Sequence, residues 1–272
     1  MGICNVTPDS FSDGGKHFTL DAARARVDAL LAEGADFVDI GGESTRPGSR
    51  SVPAKEQLQR VLEVVRYAAS RGACVSIDTT SPEVASACLD AGATAVNDVS
   101  CLADDELAKV TAASGAAFVL MHARGTQAEM AGFSVYPEDA YRDVVRDVLV
   151  EWSSAAERAV HLGVERASLV MDPGLGFAKS ARHSAELMRK MRDVVSALDV
   201  AVMVGASRKS FLTPPTEGAR EATPSERLGA SLAAALHAVR EGASILRVHD
   251  VGATAQAIDT QRLLSTVPRG PS

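Results

Sequence analysis

The chain alternates between short apolar segments and longer alanine-rich segments, and this alternation limits its fold more than any other feature. The short segments are rich in β-branched residues, whereas the longer ones carry apolar residues at helical spacing. Strands that alternate with helices are typical of a parallel sheet covered by helices, so the pattern predicts an α/β protein. The eight short segments are residues 1–6, 36–40, 73–77, 95–99, 117–121, 168–171, 200–204 and 244–248.

The number and spacing of these units indicate which α/β fold to expect. Gly34, Gly92 and Gly242 each lie between a helical segment and the next strand, as expected for a helix C-terminus. Eight such units in 272 residues, without a linker or a shift in composition, predict a single (β/α)₈ TIM barrel rather than a doubly wound sheet. We therefore expect one domain over residues 1–272, with a frayed tail at residues 266–272.

Charge and composition exclude several classes of function. The net charge of −7 argues against broad electrostatic attraction to nucleic acid or to an anionic membrane. No apolar segment approaches the roughly 18 residues that a membrane span requires, and Met1 leads directly into a motif rather than into a signal peptide. The four cysteines form no CxxC pair, so we expect them to be reduced. The sequence thus predicts a cytoplasmic protein that binds neither nucleic acid nor membrane.

Polar residues follow every predicted strand, at the end of a TIM barrel where the active site is built. Carboxylates and an amide follow the third, fourth and sixth strands, whereas cationic residues follow the seventh and eighth. This separation predicts a pocket for a substrate with two unlike ends. Paired acceptors suit the N–H groups of a flat heterocycle, and cations suit a phosphate or pyrophosphate. The residues are Asp78, Asn97 and Asp172 on one side and Lys209, Arg247 and His249 on the other.

Several of these positions have an alternative structural interpretation. Asp78 follows a strand, where an aspartate is commonly a helix N-cap. Only one of Asn97 and Asp98 can face the barrel interior, and we predict that it is Asn97. For Glu43 a structural ion pair is as reasonable as a ligand contact. No second His or Cys lies at metal-ligand spacing from His122, so a structural role is the better prediction for that residue.

Eight motifs, in chain order over nearly the whole chain, resemble those of the dihydropteroate synthase family. Each motif is of moderate specificity, but eight in order are highly specific. The motifs are 5–15 (NVTPDSFSDGG), 42–48 (GESTRPG), 76–79 (SIDT), 97–100 (NDVS), 121–126 (MHARGT), 172–179 (DPGLGFAK), 207–211 (SRKSF) and 247–251 (RVHDV).

The resemblance implies condensation of 6-hydroxymethyl-7,8-dihydropterin pyrophosphate with 4-aminobenzoate, with Mg²⁺ as cofactor, in a homodimer that sulfonamides target. It implies that the pterin is bound by Asp78, Asn97, Asp172 and Lys209. It implies that the pyrophosphate is bound by Asn5, Arg247 and His249, and that Asn5 also binds the metal ion. It implies that the aminobenzoate is bound by Phe11, Thr45, Arg46, Pro47, Phe177 and Ser210. The implied catalytic residues are Asp78, Asp172, Lys209 and, on a flap after the first strand, Asp13.

The expected chemistry is a carbocation-like displacement, in which carboxylates stabilise a cationic pterin methylene after pyrophosphate leaves. Two alternatives remain open. A methyltetrahydrofolate:corrinoid methyltransferase would share the pterin-binding residues but would not need Arg247 and His249 for pyrophosphate. A non-catalytic pterin-binding paralogue would be marked by the loss of Asp78, Asp172, Lys209 or Arg247, and all four are present.

Overall fold

The computed structural model describes residues 1–7, 20–44, 52–126, 129, 132–213 and 222–266. Within these residues eight parallel strands pair in chain order, which confirms the predicted (β/α)₈ TIM barrel. The strands are β1 (Gly2–Asn5), β2 (Phe37–Gly41), β3 (Cys74–Asp78), β4 (Ala95–Asp98), β5 (Ala117–Met121), β6 (Leu169–Asp172), β7 (Ala201–Val204) and β8 (Ile245–Leu246).

Main-chain hydrogen bonds between the two ends of the sheet close the barrel. Val248 N–H donates to the carbonyl of Met1, and Ile3 N–H donates to the carbonyl of Val248, each over 3.0 Å. The amino group of Met1 also donates to the carbonyl of Leu246 over 3.0 Å. Because β8 has only two residues, these contacts with the residues after it complete the seam beside β1.

Helices follow the strands and cover the outside of the barrel. Short polar side chains cap several of them: Ser81, Asp104 and Asp143 each accept a hydrogen bond from a main-chain N–H of the first turn. The helices are α1 (Leu20–Ala32), α2 (Ala54–Ser70), α3 (Pro82–Asp90), α4 (Asp105–Ser114), α5 (Val144–His161), α6 (Ala181–Arg189), α7 (Met191–Ser196), α8 (Leu228–Arg240) and α9 (Val251–Thr266).

The glycines predicted to end helices do so. Gly34, Gly92 and Gly242 follow α1, α3 and α8 with φ of 90°, 107° and 101°, the left-handed region that favours glycine. Each leads directly into the next strand. The repeated turn explains why the sequence marks the strand starts so regularly.

Apolar side chains fill the barrel interior toward the amino ends of the strands. Val119, Val170 and Met203 form a buried cluster there, against which Met1 and Ile245 pack. A larger cluster lies between the strands and the surrounding helices. Because the interior is packed at one end, the polar residues of the other end line a cavity floor rather than a pore.

The cysteines within the described residues are free, and Cys4 and Cys88 are buried whereas Cys74 is exposed. Across the described part of the chain, no helix is long and apolar enough to cross a membrane. Thr266, the first residue of the predicted frayed tail, is the last residue of α9, and residues 267–272 lie outside the described residues.

Candidate active site

The carboxyl ends of neighbouring strands bring the predicted polar residues side by side. Asp78 pairs in register with Asn97 on one side and with Gly41 on the other. Asp172 ends β6, opposite Met121 of β5. Asp78, Asn97 and Asp172 are all buried, so the mouth of the barrel has a floor of hydrogen-bond acceptors.

Arg247 joins two of the carboxylates. Its Nε donates to Oδ2 of Asp39, and its Nη2 donates to Oδ2 of Asp78, each over 2.7 Å. The sequence predicted cations on one side of the pocket and carboxylates on the other. The structure instead places this guanidinium between carboxylates of β2 and β3, because the side chain of Arg247, just after β8, extends past β1 to reach them.

Asp39 is a part of the site to which the sequence analysis assigned no role. Its side chain is fully buried, and besides Arg247 it accepts a hydrogen bond from Nδ2 of Asn97 over 3.3 Å. The signal in the sequence is an aspartate in the middle of an apolar strand, Phe37–Gly41. A charge in that position faces the barrel interior and needs a buried partner.

Several buried acceptor atoms of this floor have no hydrogen-bond partner among the described residues. They are Oδ1 of Asp39, Oδ1 of Asp78 and Oδ1 of Asn97, together with Oγ of Ser76. Buried acceptors without a donor cost free energy, about 1–3 kcal/mol each. A ligand that carries several N–H donors on one edge would relieve this cost, and a flat amino-substituted heterocycle is such a ligand.

Burial shifts the pKa values of these groups toward their neutral forms. It raises the pKa of Asp78, which Arg247 opposes and the neighbouring Asp39 reinforces. It also raises the pKa of Asp172, against the opposing effect of Lys209. Conversely, burial lowers the pKa of Lys209 to about 8 despite the nearby Asp172. Burial alone would lower the pKa of Arg247, but Asp39 and Asp78 raise it, so this group stays charged.

The loop after β6 forms one wall of the site. Oδ1 of Asp172 accepts a hydrogen bond from Gly174 N–H over 2.7 Å. Gly174 has a φ of 66°, and a Cβ there would lie 2.0 Å from the carbonyl oxygen of His122, so this turn requires glycine. The loop then presents Phe177, and the Nζ of Lys209 lies 4.6 Å from the centroid of its ring. Lys209 also donates to the carbonyl of Leu175.

A buried network supports this loop from behind. The Nζ of Lys179 lies 2.8 Å from Nδ1 of His122, whose Nε2 lies 3.0 Å from Oε2 of Glu151. Arg124 binds the same carboxylate and also donates to the carbonyl of Ala140. His122 is completely buried, as its predicted structural role requires.

The residues predicted at the anionic end lie on the loops after β7 and β8. His249 Nδ1 is 3.1 Å from Oγ of Ser207, and Arg208 pairs with Asp250 through Nε over 2.9 Å. Asn5 ends β1 and pairs in register with Gly41, the residue beside Asp78.

The remaining residues are those that the family resemblance implies for the aminobenzoate. Phe177 is buried and makes an edge contact with Phe133, with ring centroids 5.3 Å apart. Ser210 is half-buried, and its hydroxyl donates to that of Ser134 over 3.5 Å. Five predicted residues lie outside the described residues: Phe11, Asp13, Thr45, Arg46 and Pro47.

The structure decides the alternatives that the sequence left open around these residues. Ser81, not Asp78, caps α3. Asn97 faces the interior, whereas Asp98 accepts the main-chain N–H groups of Ser100 and Leu102 over 2.8 and 2.6 Å. Glu43 has a structural role through hydrogen bonds: it accepts from Val52 N–H and from Nε2 of Gln57, each over 3.0 Å.

The donor set suits a cation that arrives with an anionic substrate. Within the described ranges, no group of three or more His, Cys, Asp or Glu side chains could hold a metal ion. Mg²⁺ keeps several waters and is commonly bound by one or two protein oxygens plus substrate phosphates. The amide oxygen of Asn5, at the end of β1, is an oxygen donor of the required type. The residues present therefore fit a magnesium ion carried mainly by pyrophosphate.

A TIM barrel with acceptors on its floor and cations on its last two loops defines an enzyme-like site for a heterocycle that bears an anionic group. Residues 1–249 match the profile of a family described as pterin binding enzyme. The chain is also 43% identical over 261 residues to the dihydropteroate synthase of Mycobacterium leprae (strain TN), covering 95% of this chain and 90% of that one. With the enzyme of Escherichia coli (strain K12) it shares 38% identity over 259 residues, covering 95% and 88%.

Solved structures agree with these relatives. Xanthomonas albilineans dihydropteroate synthase in complex with 7,8-dihydropteroate superposes with a TM-score of 0.83 at 36% identity, covering 98% of this chain and 93% of that one. The Yersinia pestis enzyme in a sulfonamide drug complex gives a TM-score of 0.87 at 35% identity, covering 98% and 94%. The chain belongs to the pterin binding enzyme family, and the relatives named here are dihydropteroate synthases.

Proposed function

We propose that this protein is a dihydropteroate synthase, a transferase that joins 6-hydroxymethyl-7,8-dihydropterin pyrophosphate to 4-aminobenzoate and releases pyrophosphate. The observation that carries the proposal is the floor of buried acceptors at the ends of β2, β3 and β4, with Arg247 fixed among them. The resemblance to enzymes solved with 7,8-dihydropteroate and with 4-aminobenzoic acid supports the substrates.

The pterin end of the substrate is bound by acceptors and donors together. Asp78, Asn97 and Asp172 would accept the amino and ring N–H groups of the pterin, and Lys209 would donate to its carbonyl oxygen. Two carboxylates, Asp39 and Asp78, share one guanidinium, so the floor carries net negative charge when both are ionised. That charge favours a donor-rich ring over an acceptor-rich one.

The pyrophosphate end would be held by Asn5, Arg247 and His249. Asn5 would hold a magnesium ion there, and that ion would supply the positive charge that makes the pyrophosphate a better leaving group. Arg247 stays charged between Asp39 and Asp78, and in this proposal it would lie between the two ends of the substrate. Its contact with the floor is therefore positioned to couple pterin binding to the departure of pyrophosphate.

The reaction would proceed by displacement at the methylene carbon of the pterin. The C–O bond to pyrophosphate breaks, its electron pair leaves with the pyrophosphate, and the pterin methylene becomes cationic. Asp78 and Asp172, and Asp13 from the flap, would stabilise this cation electrostatically. The amine of 4-aminobenzoate then forms the C–N bond and releases a proton.

The aminobenzoate would lie against Phe177, with Ser210 near its carboxylate. An arylamine is neutral at pH 7, so the reaction needs its orientation more than a general base. Phe11, Thr45, Arg46 and Pro47 complete this subsite in the proposal. The Lys209 ammonium lies over the Phe177 ring and would connect this subsite with the pterin subsite.

We further propose a cytoplasmic homodimer. Along α8 and α9 runs an apolar groove that includes Leu232, Leu236 and Leu264. Leu263 and Leu264 are 64% and 70% exposed, which is unusual for adjacent leucines on a helix. Light scattering of the wild type and of Leu264→Glu tests this surface: a dimer that becomes a monomer supports it, and a monomeric wild type contradicts it.

The deciding experiment follows pyrophosphate release from the pterin pyrophosphate with Mg²⁺, with and without 4-aminobenzoate. Release that depends on aminobenzoate, and that is lost in Asp78→Asn and Arg247→Ala, supports the synthase. Asp199→Asn removes a carboxylate from the exposed surface, where it binds Arg166, and is the matched control. A folded protein that binds pterin without releasing pyrophosphate would instead favour the non-catalytic paralogue or the methyltransferase.

A further inference from the structure

Ser207 makes two contacts with a single residue, His249. The main-chain N–H of His249 donates to Oγ of Ser207 over 3.2 Å, and the same Oγ lies 3.1 Å from Nδ1 of the imidazole ring. A hydroxyl has one proton to donate and two lone pairs that accept. One lone pair is occupied by the main-chain N–H. The direction of the second contact then determines which nitrogen of the ring carries a proton.

The surroundings of Ser207 determine that direction. Among the described residues, Nδ1 of His249 is the only acceptor within hydrogen-bond distance of this hydroxyl, and Ser207 is buried. If Nδ1 carried a proton, the hydroxyl proton would lack a protein acceptor in a nearly closed position. The satisfied arrangement has the hydroxyl donating to an unprotonated Nδ1.

The ring is also held neutral. Burial first, and the neighbouring cations Arg208, Arg247 and Arg26 in addition, lower the pKa of His249 to about 4 against the opposing charge of Asp250. A neutral ring whose Nδ1 accepts carries its one proton on Nε2. The imidazole then presents an N–H donor on the side away from Ser207.

The main chain around His249 is fixed independently of the ring. Nη2 of Arg26, from α1, donates to the carbonyl of His249 over 2.7 Å. The Arg208–Asp250 ion pair links the residues that follow Ser207 and His249 along the chain, with Nη2 to Oδ1 over 2.5 Å. The ring can therefore respond to its Ser207 contact by rotation and by choice of tautomer, with little displacement of the loop.

We infer that Ser207 is a positioning residue, which fixes His249 as a neutral Nε2–H donor to a pyrophosphate oxygen. In this arrangement His249 is neither an acid that gives a proton to the leaving group nor a metal ligand through Nε2. The inference rests on the proposed function only for the identity of the anion. Its first test therefore uses the protein without any ligand.

The tautomer is measured by long-range ¹⁵N–¹H correlation spectra of the full chain labelled at the histidine nitrogens, at pH 7. His249→Gln assigns the signals, since the chain has six histidines. We expect a neutral His249 with a proton on Nε2 and a hydrogen-bonded Nδ1. In Ser207→Ala the Nδ1 signal should lose that hydrogen bond, whereas Ser207→Thr should keep it. A proton on Nδ1, or a doubly protonated ring, in the wild type would overturn the inference.

The functional consequence is measured with inorganic pyrophosphate and Mg²⁺ by calorimetry. Loss of one oriented donor should weaken binding about three- to tenfold in Ser207→Ala, and Ser207→Thr should restore it. In turnover, Ser207→Ala should raise the KM for the pterin pyrophosphate by the same factor and leave the KM for aminobenzoate unchanged. On a His249→Gln background, Ser207→Ala should cause no further loss.

The outcomes separate the two proposals. Equal pyrophosphate affinity in the wild type and Ser207→Ala would overturn the positioning role. A further loss on the His249→Gln background would do the same, because Ser207 would then act without the ring. A wild type with the expected tautomer that binds no pyrophosphate would contradict the proposed function, and the anion in this inference with it, while the tautomer assignment itself would be supported.

Discussion

The ammonium of Lys179 lies 2.8 Å from Nδ1 of His122 and 3.1 Å from the carbonyl oxygen of Phe177, with no exposed surface of its own. Its hydrogen-bond partners in the described chain are neutral acceptors. When Lys179 is protonated it has only donors, so His122 then accepts at Nδ1 and its Nε2–H donates to Glu151. This contact ties the end of the loop after β6 to the end of β5.

Lys179→Met tests how the buried amino group of Lys179 affects the free energy of unfolding at different pH values. Burial is the main reason that the pKa of Lys179 is lowered to about 7; Asp172 and Cys101 oppose this shift, and Lys209 and Arg124 add to it. In the unfolded chain a lysine titrates near 10.4. Between these values the unfolded chain binds a proton that the folded one lacks, so stability contributed by Lys179 rises with pH, by up to about 1.4 kcal/mol per pH unit.

The measurement is urea unfolding of the wild type and Lys179→Met between pH 7 and 10, followed by the fluorescence of Trp152, the one tryptophan of the chain. The free energy of unfolding of the wild type, relative to that of Lys179→Met, should increase as pH rises. Lys109→Met, at an exposed lysine paired with Glu106, is the control and should show no such rise. A difference for Lys179→Met that is independent of pH would refute the prediction.

Asp39→Asn should change the titration of its neighbour. Asp39 raises the pKa of Asp78, and the two compete for the same guanidinium of Arg247. Removing the charge of Asp39 should lower the pKa of Asp78 by about one unit. Pterin binding would then persist to lower pH, while the free energy of unfolding falls by about 1–3 kcal/mol through the weakened buried hydrogen bond.

Fluorescence titration with a pterin across pH 4–8 measures this shift. Glu43→Gln is the matched comparison, since Glu43 makes the smallest of the contributions named for Asp78 and should produce a smaller displacement. An unchanged pH profile in Asp39→Asn would mean that Asp39 and Asp78 do not interact in solution as the structure indicates.

Gly174→Ala and Gly115→Ala form a matched pair with the same φ of 66°. At Gly115 a Cβ meets nothing within 4 Å, so the substitution should cost about 1 kcal/mol for the left-handed backbone alone. At Gly174 the Cβ would lie 2.0 Å from the carbonyl oxygen of His122, so the loop must move. We expect Gly174→Ala to lose at least about twice as much stability.

Gly174→Ala should also weaken pterin binding, because Gly174 N–H holds Oδ1 of Asp172. Calorimetric unfolding and pterin titration of both variants check the pair. Equal losses of stability, with pterin affinity kept in Gly174→Ala, would show that the loop tolerates a side chain there.

The two ends of the pocket should respond to different substitutions. Asp78→Asn should weaken binding of both a plain hydroxymethylpterin and its pyrophosphate ester, by about ten- to a hundredfold for loss of a charged hydrogen-bond partner. His249→Ala should weaken only the ester. Calorimetry with the two ligands gives the four affinities, and a loss of plain pterin binding in His249→Ala would contradict the two-ended pocket.

The barrel could be predicted from the sequence because the signals for helix ends and strands are local. A glycine such as Gly92 marks the end of a helix within a few residues, and alternating apolar segments mark the strands that follow. The strand at residues 244–248 is the least accurate, since only Ile245–Leu246 is a regular strand. Its neighbours contact β1 through single main-chain hydrogen bonds, a tertiary effect that local propensity does not contain.

The placement of three polar residues at one end of the barrel was predictable from the sequence, whereas the part played by Asp39 and the contacts between the residues were not. Asp78, Asn97 and Asp172 follow strands, so the barrel alone brings them to one end. The pairing of Arg247 with Asp39 depends on where a side chain after β8 reaches across the barrel, over 208 residues of sequence. The Lys179–His122 contact is likewise formed between two loops and leaves no periodic signal.

The bridge from Arg247 to Asp39 and Asp78 also affects synthesis of the protein. These contacts join residues 208 and 169 positions apart, so Asp39 and Asp78 emerge from the ribosome long before their guanidinium partner. A nascent chain that already contains β2 and β3 holds two unpaired interior carboxylates, and these oppose premature closure of a partial barrel. The segment that carries Arg247 and Val248 is translated long after β2 and β3, and it therefore both pairs with these carboxylates and closes the seam beside β1.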